Sequence, residues 1–153
     1  MTCIFCKINN GVLPCISIYE SNDCHVILDK FKLSRGHLLI LSKRHKQSIT
    51  QLTDKERSQL INVASNITLA MKRMDHSIKD VHFLINDGPS AYQHIPHVHL
   101  HLIPRYRCDT LYFLINMFTR YINPFNYIIN KKTLTWAKKL SLNIKDGSNE
   151  TNC

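Results

Sequence analysis

The feature that most constrains this chain is a run of alternating side chains at residues 97–103, His-Val-His-Leu-His-Leu-Ile. Side chains of a β-strand alternate between its two faces, so those on one face repeat roughly every 7 Å. One face carries His97, His99 and His101, and the other carries Val98, Leu100 and Leu102. The run therefore predicts a strand with an apolar core behind it and a row of three imidazoles in front of it.

Four further strands and one long helix are predicted along the chain. The strands cover residues 16–20, 24–29, 37–42 and 81–86, and Pro104 is expected to end the strand that carries the histidines. Thr53 and Glu56 have the spacing of a capping box, and apolar residues then recur every three or four positions. We therefore predict a helix over residues 53–75 and an α+β fold, in which an antiparallel sheet of about five strands packs against one long helix.

The length of 153 residues suits one compact domain. Because 44% of the residues are hydrophobic and 20% are charged, disorder as the main state is excluded. Beyond residue 110 the sequence is compatible with more than one secondary structure. Residues 111–121 form a helix or a strand with a turn, residues 133–144 are weakly amphipathic, and residues 146–153 are polar and expected to fray.

Lys and Arg number 20 against 11 Asp and Glu, which gives a formal charge of +9. Residues 1–104 hold 12 basic and 8 acidic side chains, net +4, and residues 105–153 hold 8 and 3, net +5. This surface favours nucleotides, nucleic acid or acidic membranes as partners, or serves solubility alone. The apolar run at 111–118 is too short to span a bilayer, and no signal peptide is recognisable. We therefore expect a cytoplasmic protein with reduced cysteines.

Three imidazoles in one row are suited to two kinds of chemistry. The row could bind a catalytic metal ion, or one imidazole could act as a nucleophile while its neighbours handle protons and charge. The residues alone leave both possibilities open. Near the N-terminus, Cys3 and Cys6 form a Cys-x-x-Cys pattern, which is the spacing of a pair of metal ligands.

The His-φ-His-φ-His-φ-φ pattern, with φ apolar, resembles that of the histidine triad nucleotide hydrolases and transferases, of the HINT-like or bacterial type. Other segments resemble the same family in the same order: residues 3–8, 14, 19–20, 28–29, 36–40, 43–45, 86–88, 93–95 and 104–105. The resemblance covers residues 3–109, about 70% of the chain. It implies an α+β histidine triad fold and a nucleotide as substrate.

The resemblance assigns the chemistry to four residues. His99, the middle of the row, would attack the α-phosphorus and form a covalent nucleotidyl-histidine that water then hydrolyses. His101 and His37 would hydrogen-bond the phosphate oxygens and stabilise charge in the transition state. Gln93 would donate its side-chain amide to the same oxygens. A neutral imidazole is a competent nucleophile near pH 7 because its reference pKa lies close by.

Five residues are assigned to substrate binding by the resemblance. Asp29 would accept both ribose hydroxyls, which suits the two oxygens of a carboxylate. Asn86 would line the phosphate end of the site. The apolar residues that would sandwich the base are Phe5, Ile8 and Leu28.

A zinc site is also implied, because several members of the family carry one at the matching positions. Its ligands would be Cys3, Cys6, His45 and His97. Two thiolates and two imidazoles fill all four positions of a tetrahedral ion, so this zinc would be structural rather than catalytic.

Two residues depart from the family pattern. Many members have glycines just before the glutamine, where this chain has Ala91-Tyr92. Tyr92 would narrow the pocket or stack on the leaving group. His94 stands where some members have a small hydroxyl residue, and it is suited to protonate a leaving group.

We therefore expect residues 1–110 to form a histidine triad domain, with residues 111–153 as an extension packed on or near it. The domain would cleave a purine nucleotide derivative, either a nucleoside phosphoramidate or a dinucleoside polyphosphate, at the α-phosphorus and would form a homodimer through helix 53–75. Two alternatives stay open: a metal-dependent hydrolase that uses the three-histidine row, and a nucleotide-binding regulatory module with little turnover. No RNA-recognition signature accompanies the basic segment, so nucleic acid and membranes are not expected as partners.

Overall fold

The computed structural model describes residues 3–119 and 131–149. The elements are α1 (Ile4–Asn9), β1 (Ser17–Glu20), β2 (Cys24–Leu28), β3 (Leu38–Ser42), α2 (Asp54–Met74), β4 (Ile78–Ile85), β5 (His99–Tyr106), α3 (Thr110–Thr119) and α4 (Lys131–Asn149). Short 3-10 turns at Ile49–Gln51 and Pro89–Ala91 lie in the connections before α2 and β5.

The five strands form one antiparallel sheet in the order β1-β2-β3-β5-β4. The antiparallel five-stranded sheet and the α+β class predicted from the sequence are confirmed. β5 lies between β3, which pairs with residues 99–102, and β4, which pairs with residues 100–106, so both neighbours hold its backbone at residues 100–102. The strand that carries His99 and His101 is therefore an interior strand of the sheet, whereas His97, predicted to lie in the same strand, precedes the first residue of β5.

The two faces of the sheet differ in chemistry. Leu38 of β3 pairs with Leu102 of β5, and both are buried in the main apolar core beneath α2. One residue further along β3, Leu39 pairs with His101 on the opposite face. The predicted alternation therefore gives the sheet one face that is packed by helices and another that carries the imidazoles.

Helix α2 begins as its sequence predicts. The Thr53 hydroxyl accepts a hydrogen bond from the Glu56 N–H, and the Thr53 N–H donates to the Glu56 carboxylate at 2.8 Å. These reciprocal bonds satisfy two of the first free N–H groups of the helix. The buried face of α2 consists of Leu60, Val63, Ala64, Ile67 and Met71.

The prediction that Pro104 ends the strand is wrong, because β5 continues to Tyr106. Pro104 lies opposite Val81 of β4, whereas β3 pairs only as far as Leu102. The sheet is two-stranded at this point and half of the backbone groups of β5 face no neighbour, so a residue without an N–H is tolerated there.

The C-terminal part adds two helices to the sheet. Residues 110–119 form α3, which is the helical alternative for this segment; residues 120 and 121 lie outside the described ranges. α4 is a second long helix, and it inserts Ala137 and Leu140 into the core shared with α2. It continues to Asn149, past the start of the segment expected to fray, and residues 150–153 lie outside the described ranges. No helix of the described residues has the length and apolarity needed to cross a bilayer.

Candidate active site and metal centre

Helix α1, which was not predicted, covers part of the imidazole face and brings Cys3, Phe5 and Cys6 to it. Two polar contacts seat the helix. The Asn9 side-chain amide donates to the Ser42 carbonyl at 2.9 Å, and its oxygen lies 3.2 Å from His25 Nδ1. Because burial lowers the pKa of His25, this imidazole stays neutral near pH 7.

Four side chains of the predicted metal set meet beside this helix. His97 Nδ1 lies 3.4 Å from Cys3 Sγ, 3.5 Å from Cys6 Sγ and 3.3 Å from His45 Nδ1. Cys6 Sγ lies 3.2 Å from His45 Nδ1, and all four ligand atoms are within 4.8 Å of one another. The structure therefore brings Cys3, Cys6, His45 and His97 together.

The donor atoms of this cluster suit a metal ion. His97 Nε2–H donates to the Ser42 carbonyl at 2.8 Å, which leaves the Nδ1 lone pair facing the sulfurs. Burial lowers the pKa of His97 and so keeps the imidazole neutral. Burial first, and then the neighbouring Cys3, raises the pKa of Cys6. A metal that binds here would therefore have to displace the thiol proton.

The spacing matches a tetrahedral centre. Bond lengths typical of zinc place two nitrogens of a tetrahedron about 3.3 Å apart and a sulfur and a nitrogen about 3.6 Å apart. The separation of His45 from His97 is 3.3 Å, and the three measured sulfur–nitrogen separations are 3.2–3.5 Å. The residues present therefore fit a four-coordinate ion of the size of zinc.

His99 is oriented by the backbone that leads into its strand. Its Nδ1–H donates to the carbonyl of His97 at 2.7 Å, because a carbonyl oxygen can only accept. The neutral imidazole then carries its lone pair on Nε2. The Phe5 ring meets His99 edge to face with ring centroids 5.0 Å apart, and only 6% of His99 is exposed. His99 is thus held in the tautomer that a nucleophile requires.

His101 contacts a different set of groups. The Leu33 N–H donates to His37 Nδ1 at 3.1 Å, so His37 carries its proton on Nε2 and donates it to His101 Nδ1 at 3.0 Å. The proton of His101 is then on Nε2, which can donate to a ligand. Asp29 Oδ2 lies 3.4 Å from His37 Nδ1 and 3.9 Å from His101 Nδ1. A carboxylate at this range stabilises positive charge on either imidazole.

Gln93 and Asn86 tie the loop before β5 rather than contact the histidines. Gln93 donates to the Gln47 carbonyl at 2.7 Å and accepts from the Gly88 N–H at 2.8 Å. Asn86 donates to the Tyr92 carbonyl at 3.2 Å. In this structure the amide of Gln93 is therefore directed at backbone groups of Gln47 and Gly88 and not at the imidazoles.

The assignment of Leu28 to the base pocket is wrong. Leu28 pairs with Leu38 on the helix-packed face and belongs to the main core. Ile27 instead shares the imidazole face with Phe5, and Ile8 packs against the same apolar group. Strand periodicity could have revealed this, because Leu28 precedes Asp29 by one residue and must point to the opposite face.

The row of three histidines does not converge on one ion. His97 belongs to the thiolate group, and His101 belongs to a second group with Asp29 and His37. Within residues 3–119 and 131–149, no set of potential ligand atoms within 4.8 Å of one another includes all three histidines of the row. The geometry therefore disfavours a catalytic metal bound by the row itself.

The two residues that depart from the family pattern lie in the loop before β5. Tyr92 has φ 60°, in the left-handed region that glycine favours, and is 76% exposed. His94 and Ile95 line a cleft of about 370 Å³ that also borders Cys3 and His45. The loop therefore keeps a glycine-like backbone at Tyr92 while presenting an aromatic side chain to solvent.

Comparison with known proteins finds a matching family model and similar relatives. A family model described as HIT domain matches residues 10–108. An adenosine 5'-monophosphoramidase of Schizosaccharomyces pombe (hnt1) is 32% identical over 105 residues, 69% of this chain and 75% of that protein. An adenylylsulfatase of Arabidopsis thaliana (HINT3) is 36% identical over 110 residues, 72% of this chain and 55% of that protein.

Among solved structures, a Zn-bound histidine triad family protein of Mycobacterium smegmatis has a TM-score of 0.80 and 27% identity, over 98% of each chain. The family match runs from the turn after α1 to just past the end of β5, and so contains the whole sheet and α2. The resemblance seen in the sequence is thereby confirmed, and we conclude that the chain belongs to the histidine triad (HIT) family.

Proposed function

We propose that this protein cleaves nucleoside phosphoramidates or dinucleoside polyphosphates at the α-phosphorus, through a covalent nucleotidyl-histidine on His99. The observation that carries the proposal is the hydrogen bond from His99 Nδ1–H to the His97 carbonyl at 2.7 Å. It leaves Nε2 with a lone pair on the same sheet face as the His37–His101 pair. A nucleophile with a fixed tautomer lies beside groups that can stabilise charge.

The reaction has two displacements. His99 Nε2 attacks the α-phosphorus, the bond to the leaving nitrogen or oxygen breaks, and the leaving group keeps the bonding electrons and takes up a proton. We assign that proton to His94, which lines the neighbouring cleft. Water, or another acceptor in a transferase, then attacks the phosphorus and releases His99. Charge on the phosphate oxygens is stabilised by the Nε2–H of His101, which His37 holds in place.

The substrate class rests on the relatives. The Schizosaccharomyces pombe protein is an adenosine 5'-monophosphoramidase and the Arabidopsis protein an adenylylsulfatase, so both act on an adenosine nucleotide with a leaving group on the phosphate. We propose a purine nucleotide here as well. Its base would contact Phe5, Ile8 and Ile27, its ribose would reach Asp29, and its phosphate end would lie near Asn86. Gln93 would reach the phosphate only by giving up its bond to Gln47.

Zinc is proposed as the occupant of the thiolate and imidazole cluster. The cluster has the spacing of a tetrahedral site, and the similar Mycobacterium smegmatis protein is Zn-bound. Cys3, Cys6, His45 and His97 would hold the ion and fill its four positions, so it would tie α1 to β5 and supply stability rather than chemistry. A reducing compartment, the cytoplasm, keeps such thiols available.

Assembly and domain division are proposed with the same function. Residues 1–110 form the histidine triad domain and residues 111–153 an extension, because the family match ends at residue 108 while α4 packs on α2. A homodimer would use the outer side of α2, where Ile61 and Leu69 are exposed. Light scattering on the purified chain tests the dimer.

Rapid-quench experiments test the mechanism. Labelled adenosine phosphoramidate, diadenosine polyphosphates and nucleotide sugars should be mixed with the protein, with and without chelator. We expect an acid-labile nucleotidyl-protein adduct on His99 and net retention at a chiral α-phosphorus. Single inversion would contradict the two displacements. Loss of turnover with chelator, while the fold persists, would favour a metal-dependent hydrolase, and tight binding without turnover would favour a regulatory module.

A further inference from the structure

Helix α4 reaches a turn that leads directly into the site. Gly36 has φ 77°, and a Cβ added there would lie 2.7 Å from Cη2 and 2.8 Å from Cζ2 of Trp136. Real Cβ atoms essentially never approach other heavy atoms so closely. The indole of α4 therefore packs directly on the backbone of the turn, and both the conformation and the space require glycine there.

A second set of contacts, made by Arg35, also holds this turn. Arg35 donates to Asp75 at 2.9 Å and to Ser77 at 3.1 Å, and its guanidinium lies 4.8 Å from the centre of the Tyr106 ring. The Tyr106 hydroxyl donates to the Arg35 carbonyl at 2.9 Å. The turn is thus held by these groups as well as by Trp136.

The position of this turn sets the position of His37, the next residue. The His37 carbonyl accepts from the Asp29 N–H at 2.9 Å, and its imidazole lies between the Leu33 N–H and His101. His37 is completely buried, so its ring can follow only the backbone that carries it. A shift of the turn would lengthen the 3.0 Å hydrogen bond from His37 to His101.

α4 packs against the main core through its buried side chains. Ala137 and Leu140 are buried in the main core, and Trp136 packs against the same core from a half-buried position. The family model ends at residue 108, so this helix lies outside the segment that the model matches. Its indole nevertheless packs on Gly36, which directly precedes His37 of the site in the chain.

We propose that Trp136 is a positioning residue, through which α4 holds the Gly36 turn and keeps His37 hydrogen-bonded to His101. Trp136 does not contact the substrate. It acts by fixing which imidazole nitrogen of His101 carries the proton that faces the phosphate. The proposal deepens the proposed function and rests on it for its effect on turnover, whereas its structural content can be measured without substrate.

Two measurements on Trp136→Ala, Trp136→Phe and Leu140→Ala test this proposal. Leu140→Ala is the matched control, because it removes a buried side chain from the same helix without removing the indole at the turn. The first measurement is the ¹⁵N spectrum of the imidazoles, which reports the tautomers of His37 and His101. Trp136→Ala should replace the single tautomer of His37 by an average of two, whereas Trp136→Phe and Leu140→Ala should keep the wild-type signals.

The second measurement is steady-state hydrolysis below the unfolding midpoint of every variant. Trp136→Ala should lower kcat about 10-fold with KM changed less than about twofold, because a misplaced group acts in the transition state. Leu140→Ala should lose thermal stability but keep kcat within about twofold.

Unchanged His37 tautomers in Trp136→Ala overturn the positioning role, whatever the turnover. An equal fall of kcat in Leu140→Ala overturns it as well, because general destabilisation would then explain the effect. A wild-type protein that cleaves none of the nucleotides contradicts the proposed function, while the spectra still decide the role of Trp136.

Discussion

The two ends of the histidine row have the same residue type in opposite surroundings. At one end, His97 faces two thiols and a second imidazole, and its other nitrogen donates to a carbonyl. At the other end, His101 accepts from His37 beside the Asp29 carboxylate. The first end brings lone pairs together and suits a cation, whereas the second places a hydrogen-bonded pair of imidazoles beside a carboxylate.

His99 lies between these ends and belongs to neither. Its Nδ1–H donates to the carbonyl of His97, so the backbone at that end of the row fixes its tautomer. The three histidines of the row thus differ in their surroundings, and the neighbouring elements determine the chemistry of each. The sequence pattern therefore supplies the imidazoles, whereas α1, β3 and the turn before His37 determine their chemistry.

The largest effect should come from the middle of the row. His99→Ala removes the proposed nucleophile, so turnover should fall about 10⁴-fold or more while nucleotide binding persists. The measurement is kcat, with binding followed by calorimetry. The adduct seen in rapid quench should disappear as well. Residual activity above about a tenth in pure protein would break the assignment of His99.

The second effect should separate the metal end from the rest. Cys6→Ser and His97→Ala each remove one proposed zinc ligand, so both should lose bound zinc and lower the unfolding midpoint by about 5–10 °C. His99→Ala should keep both the zinc and the midpoint. Elemental analysis and melting curves are the measurements. Wild-type protein without stoichiometric zinc, together with a Cys6→Ser midpoint equal to wild type, would show that the cluster holds no structural zinc.

A metal bound by the row predicts a different set of losses. His97→Ala, His99→Ala and His101→Ala would then all lose metal, whereas Cys6→Ser would keep it. The same two measurements therefore distinguish the two interpretations of the three imidazoles.

The sequence predicted the sheet and α2 well because their signals are local. The alternation of residues 97–103 and the capping box at Thr53 depend on neighbours within a few positions. α1 was missed because it has only six residues and no side chain caps its N-terminus. Its seat depends on Asn9 and Ser42, which are 33 residues apart in the chain.

The site was predictable in its parts but not in its connections. Nothing in the local sequence pairs Trp136 with Gly36 or Gln93 with Gln47, because both contacts depend on how distant elements pack. The misplacement of Leu28 is different, since the alternation of β2 already places it on the face opposite Asp29. The assignment of Leu28 to the base pocket therefore conflicts with strand periodicity, which the sequence alone shows.

The third effect compares the two faces of β2, on which the adjacent residues Ile27 and Leu28 lie. Ile27→Ala should raise KM about 10-fold, because it removes apolar contact from the proposed base pocket. Leu28→Ala should leave KM within about twofold and cost about 2–5 kcal/mol of stability, because its cavity opens in the main core. Steady-state kinetics below both unfolding midpoints compares the adjacent residues. Equal KM values for the two variants would contradict the base pocket on the imidazole face.

The smallest effect should be a change in the pH dependence of stability at His25, which contacts Asn9 of α1 beside the proposed zinc site. Burial lowers the pKa of His25 below its ordinary value, so the unfolded chain binds more protons than the folded chain in the interval between the two values. The stabilising contribution of neutral His25 is therefore present above about pH 6.5 and is lost as the pH falls toward the folded pKa. His25→Asn keeps an amide near the position of Nδ1 and cannot titrate. Its unfolding midpoint should fall less than that of wild type between pH 7.5 and pH 5.5, by on the order of 2 °C. His76→Asn, which replaces an exposed histidine, is the matched control and should follow wild type. If His25→Asn loses as much stability on acidification as wild type, the titration of His25 does not contribute to the pH dependence of stability.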